Sequence, residues 1–436
     1  MIMEYVVLFG VYLLSLSGIA WRMLVAYRSQ AFSFRLLFSA IYVVTFYFGF
    51  PFSLSLGMGF AQPMISVEQM LQALLVSFVG YLCYEIGYGF VVRFYPLSRH
   101  SSSQACLVNP QFAKLEGNLT ACLLGGLALL SLGGFIYLND GLLLFKLTKY
   151  HQIFSSQVEA IPLKRFFYFF LPALLLVFFL YPSKRMWWYF LILASGYGLL
   201  SYLAVGGTRA NLALAVFFFV LIGLYKKYLN LAWLVAVVMT VLVGMFILAL
   251  VRYDLNVQGR EAWFTFLYLT RDTFSPWENV VKILHAPIEY QGVMPIIRDF
   301  YVYIPQSIWV DRPDIVWNSA NYFTKVVLGN QSGLAISPTI LGSFYIMGGL
   351  MWIVFGMMLC GVIICILDRC FAYGKRHQQV SRSAIIQAYC FAQLFNLVVL
   401  VREGADAFVS RFVFFNICFM GCWAVAYVIS RKYQNE

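Results

Sequence analysis

Charge is scarce in this chain. Asp, Glu, Lys and Arg make up 11% of its 436 residues, against 62% hydrophobic ones, a balance that excludes a water-soluble globular domain and points to a polytopic membrane protein. Histidine is scarcer still, with four residues scattered at 100, 151, 285 and 377. No HExxH helix, GxxxxGK phosphate loop or DxD pair occurs, so zinc hydrolysis, nucleotide binding and metal-assisted diphosphate chemistry have no motif to rest on, and nothing calls for a metal or another cofactor. None of the nine cysteines falls between residues 252 and 335. A disulfide framework is therefore unsupported, and Cys360, Cys365 and Cys370, five apart, scatter round a helix as small hydrophobes. Internally repeated spans, the mark of many transporters, are also missing.

What is present is a series of apolar runs, each of roughly 20 residues and enough to cross about 30 Å of hydrocarbon as a helix. Eleven spans are predicted: Tyr5 to Val25, Leu36 to Leu56, Met70 to Val91, Leu119 to Leu138, Phe166 to Tyr181, Trp187 to Val205, Leu212 to Tyr225, Leu231 to Val251, Ile340 to Leu367, Ile385 to Val401 and Phe412 to Ile429. The expected fold is all-α, a single integral membrane domain over 1–436. The first run has Glu4 before it and no small-residue cleavage site after it, so it reads as retained. SGLAISPT from Ser332 reads as a broken helix dipping into the bilayer before the ninth span.

Positive charge orients the chain. Sixteen Lys and Arg, among them Arg22, Arg28, Arg35, Lys226, Lys227, Lys375 and Arg376, fall on one set of alternate loops, with only seven on the short loops opposite. The N-terminus is thus expected outside and the C-terminus in the cytoplasm. The same count absorbs the net charge of +12 as an orientation signal, without invoking nucleic acid.

On that assignment the long polar interval 252–335, between spans eight and nine, faces outward and reads as a cover over an active site. A second outward stretch, 139–163, mixes Lys146 and Lys149 with Leu, Phe and Ile and reads as an amphipathic piece on the membrane surface, with Lys164 and Arg165 just beyond it. VGGTRAN from Val205 sets Arg209 beside two glycines, and VREGADAFVSRF from Val401 supplies Arg402, Glu403, Asp406 and Arg411.

Arg, Asp, Glu, Asn and Tyr in such intervals suit sugars and phosphates. A reaction on the outer face of a bacterial inner membrane runs without ATP or nucleotide sugars. A lipid diphosphate sugar fits, because it carries its own activation and arginines can neutralise the leaving diphosphate in place of a metal. Arg209, Arg271, Arg298, Arg402 and Arg411 are the candidate clamps. Asp272, Glu278, Asp299, Glu403 and Asp406 are the candidate bases for an acceptor hydroxyl. Tyr301, Asn318, Asn321 and Tyr322 are candidates for holding sugar rings, and Lys164 and Arg165 for binding substrate. The chemistry is expected first of all from Arg271, Asp272, Glu278, Arg298 and Asp299. The plainer alternatives are that the two Arg-Asp pairs are solvated or externally paired loop charges, that Arg209 snorkels, and that Arg402 to Arg411 hold an inter-helix ion pair. Glu85, inside the third span, reads as local structure, and His285 as a loop residue.

Several strings carry a family resemblance: YFGFP from Tyr47, QIFSS from Gln152, KRFFYFF from Lys164, VGGTRAN from Val205, FLYLTRDTFSPWEN from Phe266, RDFYV from Arg298, NSANYFT from Asn318, SGLAISPT from Ser332, and REG with FVSR from Arg402. Through them nearly the whole chain resembles the Wzy-type polymerase of enterobacterial common antigen, the WzyE family. The resemblance implies a multi-pass inner-membrane glycosyltransferase with its active site facing the periplasm. It would move the growing chain from undecaprenyl diphosphate onto a new lipid-linked trisaccharide repeat, with a Wzz-type co-polymerase setting length and a Wzx-type flippase supplying repeats. The repeat contains a uronic acid, so some arginines would meet its carboxylate instead of the diphosphate. Related O-antigen ligases use a loop histidine. Here only His285 is in the loop, outside the matching strings, so no histidine base carries over. A ligase-type transferase and a lipid-linked oligosaccharide flippase are the alternative functions.

Overall fold

The computed structural model describes residues 2–29, 32–60, 65–94, 114–146, 158–207, 210–230, 240, 243–244, 246–247, 250, 256–300, 309–310, 318–331 and 335–435. Among the described residues there is no strand, and nine helical segments are long and apolar enough to cross a membrane. The protein is an all-α polytopic membrane protein.

The helices before the long interval are α1 (Ile2–Ser29), α2 (Phe34–Val43, prolonged by a π-turn Val44–Phe48), α3 (Phe50–Phe60), α4 (Val67–Phe94), α5 (Leu115–Leu138), the single turn α6 (Leu143–Lys146), α7 (Phe170–Leu180, entered through a 3-10 stretch Ile161–Phe169), α8 (Lys184–Val205) and α9 (Ala210–Tyr225), and all but α6 follow the apolar runs. α9 is a shorter apolar helix, and most of the expected eighth span lies outside the described residues. The interval 252–335 contains α10 (Gly259–Phe274), α11 (Glu278–Leu284), α12 (Met294–Phe300) and α13 (Ser319–Tyr322, continuing as a π-turn Phe323–Val327). Three long helices close the chain: α14 (Thr339–Arg376), α15 (Val380–Arg402) and α16 (Ala405–Asn435).

The chain divides into two compact units. The first comprises residues 1–97, 238–368 and 396–411. Its helices α4 and α14 approach to backbone contact: a Cβ on Gly87 would overlap the Met358 carbonyl, and one on Gly361 the Tyr84 carbonyl. Small residues allow this approach, which supplies the packing that lipid tails cannot drive. Glu85, two residues before Gly87 on α4, is 6% exposed. A carboxylate at such a place is costly unless paired, and here Arg22 reaches it at 2.8 Å and Arg35 closes on it from α2. Asp368 on α14 accepts the Phe34 and Arg35 amides at 2.6 and 3.2 Å and the Tyr88 hydroxyl at 3.0 Å. α1, α2, α4 and α14 are thereby tied through one ionic knot around a buried carboxylate, which gives Glu85 the structural place read from the sequence.

The second unit comprises residues 98–237, 369–395 and 412–436. It is held by aromatic packing. Trp187 lies flat on Phe219 at 4.1 Å and donates its indole N–H to the Phe219 carbonyl at 2.8 Å, while Phe170 stacks on Tyr197 at 4.1 Å. The Trp423 indole donates to Glu116 at 2.6 Å. Of the expected amphipathic piece 139–163, residues 147–157 lie outside the described residues. Its two ends are joined by the Asn139 side chain, which donates to the Glu159 carbonyl at 3.2 Å and accepts from the Glu159 amide at 3.0 Å.

Candidate active site

The first unit gathers the polar strings of the long interval and of residues 402–411, and several of them seat one another. α10 ends at Ser275, whose hydroxyl donates to the Thr45 carbonyl and accepts from the Gly49 amide, both at 2.8 Å. Gly49 admits it because a Cβ there would lie 2.7 Å from the Ser275 Cβ. Two residues on, Trp277 is 2% exposed, packs on Phe50 at 5.4 Å and donates its indole N–H to Ser53 at 3.1 Å. TFSPWEN is thus plugged into YFGFP by a serine and a tryptophan.

That plug turns the chain sharply between α10 and α11 and brings the residues on either side together. Arg271 and Glu278 form an ion pair at 2.8 Å with side chains 14% and 16% exposed, and the guanidinium lies over the Tyr268 ring at 5.0 Å. Asp272 is exposed. Neighbours along a helix do not face each other, so Arg271 takes its carboxylate from beyond the turn.

α11 is fixed in turn by Asn279, which donates to the Ser337 carbonyl at 2.9 Å, and by Ile283. Ile283 forms a small core with Tyr322, Phe323 and Ile346. The same core seats α13. Thr324 accepts the Ile336 amide at 2.7 Å, so NSANYFT holds the latter part of SGLAISPT, whose first three residues lie outside the described ones. The Tyr322 hydroxyl accepts from the Glu289 amide at 3.1 Å and donates to the Glu289 carbonyl at 3.2 Å; it grips main chain.

At the start of α13, Asn318 caps the helix by accepting the Asn321 amide at 2.9 Å, and its own amide reaches Asp299 at 3.5 Å. The adjacent Ser319 amide donates to Asp406 at 2.8 Å. Asp406 is 2% exposed, and its other oxygen accepts the Ser343 hydroxyl at 3.2 Å, which itself accepts the Ala405 amide at 3.2 Å. A buried carboxylate is tolerable when so many donors surround it. Asp406 therefore joins three strands of chain and has both oxygens occupied by protein. Arg298 donates to the Gln291 side chain at 3.4 Å. Glu403 and Arg411 form an ion pair at 2.7 Å, the plainer reading of that stretch, and Arg402 is exposed.

The remaining candidates are distributed as follows. Arg209 and Tyr301 lie outside the described residues. Lys164 and Arg165 belong to the second unit, where Lys164 sits over the Phe135 ring at 5.2 Å. His285 is exposed, with its Nδ1 2.8 Å from the Val281 carbonyl. Among the described residues no group of three or more His, Cys, Asp or Glu could hold a metal ion. Two partners in the site escaped sequence reasoning. Tyr268 was detectable, because it stands three residues before Arg271 on a helix. Gln291 carried no signal.

Helices and polar strings together define a polytopic all-α membrane protein whose interval between α9 and α14 brings arginines and carboxylates together as a candidate site. Over residues 1–434 the chain matches the family described as WzyE protein, O-antigen assembly polymerase. It belongs to that family and is accordingly a polymerase of polysaccharide biosynthesis in a membrane. No solved structure matches the chain.

Proposed function

We propose that the chain polymerises undecaprenyl-diphosphate-linked trisaccharide repeats into enterobacterial common antigen on the periplasmic face of the inner membrane. The observation that carries this reading is the set of strings seated on the Ile283, Tyr322, Phe323 and Ile346 core, which holds arginines and carboxylates in one interval. Eleven spans with the N-terminus outside put that interval, 252–335, in the periplasm as a cover over the site. The growing chain passes as a block from its lipid diphosphate to the far sugar of a new repeat. Arg271 and Arg298 neutralise the leaving diphosphate, which needs neither nucleotide nor metal. Asp299, partly exposed and tethered by Asn318, receives the acceptor proton. Glu278 holds Arg271 until an anionic substrate oxygen takes its place. Arg402 and Asn321 line the approach of the sugars, and a Wzz-type co-polymerase sets chain length.

The test is deletion of the gene in its host, followed by separation of lipid-linked saccharides by length. Accumulation of a single repeat, outward-facing and still on its lipid, supports the polymerase. Full-length polymer stranded on the carrier means a ligase, and repeats trapped facing the cytoplasm mean a flippase.

A further inference from the structure

α14 is not continuous. At Gly348 and Gly349 its backbone leaves helical geometry, and Gly349 takes φ +70 and ψ −156, a region that residues with a Cβ avoid. An interruption there strips the preceding turn of donors that a helix would supply four residues later. The loop fills the gap: the amides of Gln291 and Gly292 donate to the carbonyls of Ile346 and Met347 at 2.9 and 2.8 Å. Broken helix at membrane depth persists only where its backbone is satisfied in this way. Tyr290 closes the seat, its hydroxyl 2.9 Å from where a Gly349 Cβ would stand and its ring edge-on to Tyr345 at 6.1 Å. From the other side Tyr322 grips the Glu289 main chain.

Four successive residues, Glu289 to Gly292, are therefore clamped, and the Gln291 side chain is clamped with them. Its Nε2 donates to the Glu289 carbonyl at 2.9 Å, which points Oε1 at Arg298 on α12. We propose that Gln291, seated on the break in α14, is the positioning residue for Arg298 in polymerisation. The break is a docking site for the loop, and the amide relays that fixed point to the guanidinium. The proposal rests on the reading of Arg298 as an anion-binding residue of the reaction. A glutamine serves here because its oxygen accepts without adding a charge that would compete with the substrate for the same guanidinium.

The experiment is a double-mutant cycle on the full-length protein in membranes, with lipid-linked repeats extracted from cells lacking this chain as the probe and initial polymerisation rate as the readout. A hydrogen bond to a charged group is worth about tenfold at its weaker end, where a 3.4 Å contact belongs. Gln291→Met should lower kcat/KM about tenfold, and Gln291→Asn, which keeps an amide but falls one methylene short, should do the same if the methionine variant fails to insert. In an Arg298→Lys background either change should cost less than about twofold, because the partner that it orients is already gone. Gly349→Ala should show the same non-additivity. Losses that multiply in the Arg298→Lys background overturn the positioning role while leaving Arg298 in the reaction. A full rate in Arg298→Ala overturns the functional reading of Arg298, and the inference with it.

Discussion

Replacing Arg271 by alanine separates chemistry from folding once a second change accompanies it. The guanidinium meets Glu278 at 2.8 Å, and both side chains are about 15% exposed. Removing one partner of a buried pair strands the other charge at a cost of about 3 to 5 kcal/mol, less here because water reaches both groups. If Arg271 also neutralises the departing diphosphate, its loss removes one transition-state contact, worth about 2.7 to 4 kcal/mol or a 10²- to 10³-fold fall in rate. The single variant therefore mixes two effects. Arg271→Ala with Glu278→Gln removes the stranded carboxylate and should return the detergent-solubilised protein to near wild-type thermal stability. The polymerisation rate, measured on membranes with lipid-linked repeats and normalised to protein level, should stay 10²- to 10³-fold down, within about a factor of three. A double variant that regains both stability and normal polymer length would refute the clamp role and leave Arg271 as a structural ion pair.

Other changes test the framework beneath the site. Glu85→Ala leaves Arg35 in the ionic knot without its carboxylate and should cost about 3 kcal/mol, read as a lower thermal midpoint in detergent; an unchanged midpoint means that the knot contributes nothing. Asp406→Ala strands the Ser319 amide and the Ser343 hydroxyl, each a penalty of about 1 to 3 kcal/mol, and should increase protease cleavage near residue 318. Asp406→Asn, which keeps one acceptor oxygen, should suffer less than half of that loss, and equal damage in the two variants would deny the anchoring role. Gly361→Leu should abolish assembly of α4 against α14 and deplete the protein from membranes, whereas Cys122→Ala, at an exposed position on α5, should be silent.

The helical segments were legible because a bilayer leaves few choices. Each apolar run must satisfy its own backbone, so hydrophobicity alone marks α1, α4, α5 and α8 to within a few residues, while α15 and α16 run on past the apolar stretches that announce them. The polar interval was equally visible, as were its arginines and carboxylates. Its internal order was not. Four helices occupy it, the last three too brief to announce themselves by periodicity, and a serine and a tryptophan decide where the first of them stops.

The sequence by itself determined that the protein spans a membrane many times and which stretch carries its charge, because both follow from transfer of side chains between water and hydrocarbon, a local property. It also suggested Arg271 with Asp272 and Arg298 with Asp299 as units, because they are adjacent. Only the tertiary structure decided the partners. Consecutive residues on a helix point apart, so Arg271 found Glu278 across the Pro276 turn, Arg298 found Gln291, and Asp406 was taken into the core by an amide 87 residues away. Which charge meets which depends on where the chain folds back, and that is fixed by contacts no string of neighbours records.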